Sequence, residues 1–251
     1  MYSSCAPLAS YLRKNPKKLH LPRQGSLGNC WVLAAAVGLE SMFPGLLLGM
    51  ICLGETAALV RFPRRKAVSV SYMLPEALTV RLSHPEDLYW AILCSAVCHV
   101  LYDEGGSRFT YKRLRSGMQN YPGPLFSDAH GGLVSEALRI MSPIPPGVAS
   151  VVQGTCSRDG LMFAEVPRGD GWHSMFVFEL SDTMYTAYDP WGRIVSMPRH
   201  SGDLRFYPIT HGVHLNHQSP SQLDGGACVV RRAEASRLAM RSEWLLVHFP
   251  P

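Results

Sequence analysis

Charge is scarce in this chain. Only 17% of its 251 residues are Asp, Glu, Lys or Arg, against 47% hydrophobic, a balance that excludes a disordered chain and leaves enough apolar side chains for a substantial core. Long hydrophobic runs are missing as well. The most apolar stretch, residues 43–53, is too short and too broken by glycine to cross a bilayer, so a buried helix end or turn is expected there and no membrane span. The first twenty residues contain Pro7, Pro16 and several lysines but no continuous apolar segment of the kind a signal peptide needs. No internal repeat, low-complexity tract or nucleic-acid-binding module is visible. The net charge is only +5. Its one dense basic run, residues 13–23, lacks interleaved aromatics and is expected to be solvated surface, with no nucleic acid as partner.

Cysteine usage excludes another class. Seven cysteines form an odd set without repeating spacing, which does not fit a small secreted disulfide scaffold and points to a reducing compartment, the cytoplasm of its own cell or of a host. Cys94 and Cys98 precede His99 but lie in an apolar helical pattern with no second ligand pair. They are expected to be core, and no metal site is expected. The C-terminal histidines His200, His211, His214 and His217 sit among Pro, Gly, Ser and Gln and are expected on surface loops, with a final strand over 244–249.

Against these absences stands Gln24-Gly25-Ser26-Leu27-Gly28-Asn29-Cys30-Trp31, running into Val32-Leu33-Ala34-Ala35-Ala36-Val37. The pattern predicts a helix from Cys30 to about residue 40, stopped by Pro44-Gly45. A cysteine on the first turn of a helix meets unpaired N–H groups and the positive end of the macrodipole, which favour the thiolate. The Gln24 amide, brought near by a glycine-permitted turn, can donate to a developing oxyanion beside the Cys30 N–H.

Further along, strands are predicted over 58–62 and 67–72, a helix over 88–103 and a short helix over 133–140. After a connector at 143–147 short strands dominate: 149–153, 174–180, 184–188 and 194–197. Two units are expected, a helical one over 1–125 and a β-rich one over 126–251. The second carries Trp172-His173-Ser174 opening one apolar strand and Asp189-Pro190-Trp191-Gly192 closing the next. A hairpin would set those two strand ends side by side, so that Asp189 fixes the tautomer of His173 and Trp191 shields their bond from water. Cys30, His173 and Asp189 then have the residue types of a nucleophile, a general acid/base and its orienter.

In this order, the motifs resemble the protease core of the calpains, a papain-like cysteine peptidase family. That family carries Gln-Gly-x-x-Gly-Asp-Cys-Trp before a Leu/Ala-rich helix, matched by residues 24–36 except that Asn29 replaces Asp. Its Gly-His-Ala-Tyr-Ser and Asn-Pro-Trp-Gly are resembled by 172–174 and by 189–192, with Asp189 in place of Asn. Its Phe-Trp-x-x-Leu-Leu helix is resembled by 86–93, and its Phe-Thr-Gly-Gly by 126–132. The resemblance spans about residues 20–200. It implies an α+β fold of papain/calpain type, with a helical N-terminal lobe and a β-rich C-terminal lobe. It also implies a Cys30-His173-Asp189 triad with Gln24 as oxyanion donor, and a cleft lined by Trp31, Trp172 and Trp191. The implied activity is hydrolysis of peptide or isopeptide bonds of a protein substrate, either the chain itself or another protein. Calcium, which the family uses, is not expected: the residues leading into Gln24 (17–23) are basic where acidic ones would be needed, and no EF-hand loop is present. No other cofactor is implied.

Two readings compete. Transglutaminase-like acyltransferases carry Gly-Gln-Cys-Trp-Val-Phe-Ala and use Cys-His-Asp, resembling residues 28–34 and Asp189, but with a much shorter Cys-to-His separation. A catalytically idle calpain-like binding module is the other, opposed by the occupation of all four catalytic positions.

Overall fold

The computed structural model describes residues 2–15, 19–25, 28–75, 82–103, 132–144, 147, 150–151, 160–168 and 171–208. The first segment, strand β1 (Tyr2–Ser4), leads into helix α1 (Ala6–Lys14), which has proline in its first turn and buries Ala9 and Leu12. Helix α2 (Cys30–Met42) follows. Its side chains are apolar all round, and it is accordingly buried on every face from Cys30 to Glu40. It ends before Pro44 and Gly45, the latter at φ +83°. Glu40 reaches past this end: its carboxylate accepts the N–H groups of Gly45 (2.6 Å) and Leu47 (3.0 Å), capping helix α3 (Leu46–Met50). The apolar 43–53 stretch is therefore a helix end, a turn and the opening of strand β2 (Ile51–Leu53).

Strands β2, β3 (Ala57–Val60) and β4 (Val68–Ser71) form an antiparallel sheet, pairing Ile51 with Val60 and Val60 with Val68. Strand β5 (Met73–Pro75) returns to pair with β1. Helix α4 (Asp87–Asp103) starts on an acidic residue, as the macrodipole favours, and α5 (Val134–Met141) starts where Glu136 accepts the Leu133 N–H. The remaining strands make one antiparallel sheet: β6 (Ser150–Val151), β7 (Gly160–Arg168), β8 (Gly171–Leu180), β9 (Met184–Asp189), β10 (Arg193–Pro198) and β11 (Asp203–Pro208), ordered β10-β9-β8-β7-β11-β6.

The fold is mixed α+β with helices and antiparallel sheets. Helix α2 is the hub: it packs on α3, α4 and α5 on one side and on β7 and β8 on the other. One core runs from the helices through Phe163, Phe176, Tyr188 and Tyr207 on the near face of the large sheet. A smaller cluster around Met175, Val177, Tyr185 and Ala187 covers its far face. Gly38 permits the close approach, since a Cβ there would stand 3.0 Å from Phe176 and 3.2 Å from Phe163. Helix α5, which follows the expected boundary at residue 125, packs on α2 and α4.

Candidate active site

Cys30 is the first residue of α2 and is buried. Its N–H, like the others of the first turn, has no acceptor four residues back within the helix. Asn29 occupies the N-cap, but its side chain turns away from the helix end and its Nδ2 donates to the buried Cys94 Sγ at 3.4 Å. Cys94 and Cys98 lie in the core as expected. Burial pushes both thiols up, Cys98 to about 12, and keeps them protonated and inert.

His173 and Asp189 come together as the hairpin reading requires. Strands β8 and β9 are antiparallel neighbours, and a register shift between Val177 and Glu179 accommodates a bulge. His173 Nε2–H donates to Asp189 Oδ1 at 2.8 Å, between two buried side chains. The same imidazole lies within electrostatic range of the Cys30 side chain. Cysteine, histidine and aspartate are thus gathered where the start of a helix meets the end of a hairpin.

Asp189 is the most heavily bonded group. The Trp191 N–H donates to Oδ1 at 3.0 Å and Arg193 Nε to Oδ2 at 2.9 Å. Burial pushes its carboxyl up, but the bonds from His173, Trp191 and Arg193 outweigh this and hold it at about 2. The converse applies to His173. Burial pulls the imidazole toward neutrality, yet the hydrogen bonds and charges of Asp189 and Cys30 prevail and raise it to about 9. At neutral pH the geometry therefore favours an imidazolium beside Cys30.

A tight turn holds this arrangement. Asp189 pairs with Arg193 across the three-residue loop Pro190-Trp191-Gly192, closed by the Gly192 N–H donating to the Asp189 carbonyl at 2.9 Å. Gly192 sits at φ +84°, a conformation costly for any residue with a Cβ. The turn aims Trp191 at the site: its ring centre lies 5.3 Å from that of His173. The Arg168 guanidinium stacks over the indole at 3.5 Å from its centre, and that of Arg193 lies at 5.6 Å.

Gln24 is held at the same turn. Its N–H donates to the Pro190 carbonyl at 2.7 Å, and its side chain is buried. Two residues earlier, the Pro22 carbonyl accepts the buried Tyr188 hydroxyl at 2.9 Å.

The three tryptophans expected at a cleft part company. Trp191 touches the dyad and is 43% exposed. Trp31 does not line a cleft in this structure: its side chain is wholly buried, packed so closely under Gly132 that a Cβ there would come within 2.5 Å of the ring. The residue after Cys30 on α2 turns into the core because the whole helix is enclosed. Trp172 is 60% exposed, but it precedes His173 in a strand, so it projects to the opposite face from the imidazole. Residues 126–131 and 211–251, with their Phe-containing motif, their histidines and the expected last strand, lie outside the described residues.

Sequence reasoning missed Arg193, Arg168 and Tyr188. Arg193 was the most accessible of these, because a three-residue hairpin loop sets the residue after Gly192 opposite Asp189. Among the described residues no group of three or more His, Cys, Asp and Glu is arranged to hold a metal ion, and no helix is long and apolar enough to cross a membrane. No family model matches the chain, and no curated protein is significantly similar to it.

Proposed function

We propose that the chain is a cysteine peptidase with a papain/calpain-like two-lobe fold, acting on peptide or isopeptide bonds of cytoplasmic proteins. The observation that carries this reading is the buried His173–Asp189 pair, bonded at 2.8 Å, with Cys30 of the first turn of α2 close enough to shift the imidazole. The order of the motifs along the chain supports it as well.

The reaction follows from the positions. The Cys30 thiolate attacks the carbonyl carbon; a C–S bond forms and the carbonyl π pair moves to oxygen. That oxyanion is met by the Cys30 N–H and the Gln24 amide. His173, charged and held in orientation by Asp189, gives its proton to the leaving nitrogen as the C–N bond breaks, leaving a thioester. The now neutral imidazole takes a proton from water, whose oxygen attacks the thioester, and the thiolate leaves as the acid product departs. Asp189 stays ionised throughout.

The test is cleavage of a casein or degenerate-peptide substrate, combined with labelling by a thiol-reactive peptidyl probe. Wild-type protein is expected to cleave and to label at Cys30, whereas Cys30→Ala does neither while keeping the same thermal midpoint within a few degrees. Cleavage by Cys30→Ala at the wild-type rate would refute the assignment. Transfer of the acyl group to an added amine without hydrolysis would replace it with the acyltransferase reading, which the aspartate at position 189 favours.

A further inference from the structure

The site described above carries a surplus of arginine that the chemistry does not use. Arg168 and Arg23 flank the turn that bears Trp191, and both are exposed. Arg23 lies along Gly192, where a Cβ would meet its Cγ at 2.3 Å. Among the described residues, neither arginine has a carboxylate within ion-pair distance, whereas Arg193 is committed to Asp189. Among the described residues Arg168 is held by its contact with Trp191, its guanidinium carbon 3.5 Å from the indole centre. Stacking uses the face of a guanidinium and leaves its N–H edge pointing outward, pre-organised for a bidentate carboxylate.

The position of that edge fixes what it reads. Arg168 and His173 lie against the same indole, with centres 3.5 and 5.3 Å from the ring centre. The guanidinium is therefore within roughly 9 Å of the imidazole, the reach of two to three extended residues. A substrate chain whose scissile bond lies at Cys30 must place a nearby side chain here.

Resting on the peptidase reading, we propose that Arg168, stacked on Trp191 and supported by Arg23, is a specificity site for an acidic side chain within three residues of the scissile bond. The substrate class is an acidic peptide segment. Glu or Asp at that position forms a charge-assisted pair with a guanidinium that has already lost its rotamer freedom to the stack. Lysine there meets uncompensated positive charge.

Two measurements separate this site from the chemistry beside it. In the first, a degenerate peptide pool is cleaved and its sites are read by mass spectrometry. One subsite is expected to prefer Glu over Gln by about 10-fold in kcat/KM, at the low end for a charge-assisted bond in an accessible position. Arg168→Gln should abolish that preference and Arg168→Glu turn it toward Lys. Rising salt should weaken it in the wild type. A charge-blind profile, or an acidic preference untouched by both variants, overturns the proposal. In the second, a glutamate-rich peptide and its glutamine counterpart are titrated into Cys30→Ala protein while the arginine Nε–H resonances are followed by NMR. The Arg168 resonance is expected to shift with the glutamate peptide only; no shift, or equal shifts, overturns the proposal whether or not any peptide is cleaved. Failure of the probe to label Cys30 would sink the peptidase reading separately, leaving this second measurement to decide the carboxylate site.

Discussion

Replacing Asp189 by asparagine isolates the charge in the centre of the site. Asparagine has the same shape, and its carbonyl oxygen can still accept the His173 Nε2–H, so the imidazole keeps its orientation and no cavity is made. What disappears is the negative charge, one of two sources that lift His173 from 6.5 to about 9 against its own burial. That lift corresponds to roughly 3 kcal/mol favouring the imidazolium. Cys30 supplies the other share, and loss of the carboxylate leaves the Arg193 guanidinium uncompensated. Asp189→Asn should therefore lower the His173 pKa by at least about one unit, on the order of 1.4 kcal/mol. Because the leaving nitrogen needs the proton of His173, kcat/KM of the wild type should fall as pH rises through about 9, and the variant should lose activity nearer pH 8. A pH–rate profile from 5 to 10.5 on a quenched peptide reads this, and NMR titration of the His173 ring reads it without turnover. A basic limb that stays in place would refute the electrostatic reasoning. Loss of activity at every pH in a folded variant would show instead that the carboxylate is needed for more than charge and orientation.

Other perturbations follow from the same geometry. Gln24→Ala should lower kcat by about 10² to 10³ with KM little changed, since an oxyanion donor acts mainly in the transition state; steady-state kinetics with proportionate loss through KM would assign Gln24 to binding instead. Gly38→Val should destabilise the fold by about 1–3 kcal/mol in urea unfolding, because the new side chain enters the space of Phe176 and Phe163 and pushes α2 off the sheet. Stability should also depend on pH through the dyad. His173 is raised, so its contribution is complete below about 6.5 and is lost as pH rises through about 9; Asp189 is lowered to about 2, so its contribution is complete above about 4 and is lost as pH falls toward 2. Urea unfolding of wild type against His173→Gln should show their difference shrinking by about 1–3 kcal/mol between pH 6 and pH 10, and a constant difference would contradict it.

How much of this was legible in the sequence depended on whether a feature was local. Helix α2 starts at Cys30 and runs to Met42, as its apolar stretch and the stop at Pro44-Gly45 indicate. The hairpin joining His173 to Asp189 was equally readable, because two short strands and a three-residue turn lie next to each other in the chain. Strand β7 was not. Its residues 160–166 are buried on both faces, so Leu161-Met162-Phe163-Ala164 shows no alternation, and Pro167 argues against a strand. Its neighbour β11 joins it from about forty residues away, a pairing no local pattern encodes. Helix α1 was hidden by its opening proline and its lysine-bearing end. The enclosure of Trp31 was invisible for a related reason: it depends on Gly132, more than a hundred residues later, lying flat against the indole.

The segment leading into Gln24, the proposed oxyanion donor, is held in place from residue 19 onward. Residues 19–25 are fastened at both ends by the protein itself. At one end the Trp90 indole N–H donates to the His20 carbonyl at 2.9 Å, and the His20 ring lies 2.9 Å from Asp87 Oδ1. Asp87 is itself fixed at the start of α4, where its other oxygen accepts the N–H groups of Ser83 and His84 at 2.7 Å each. At the other end Tyr188 holds Pro22 and the Pro190 carbonyl holds the Gln24 N–H. The carbonyl that anchors Gln24 belongs to the residue after Asp189, so the orienting carboxylate and the proposed oxyanion donor are positioned by one turn. Any displacement of that turn moves both together, and with them Trp191 and the stacked Arg168. An acidic side chain captured by Arg168 would therefore bear on the same turn that holds Asp189 and Gln24, coupling recognition to alignment in the proposed reaction.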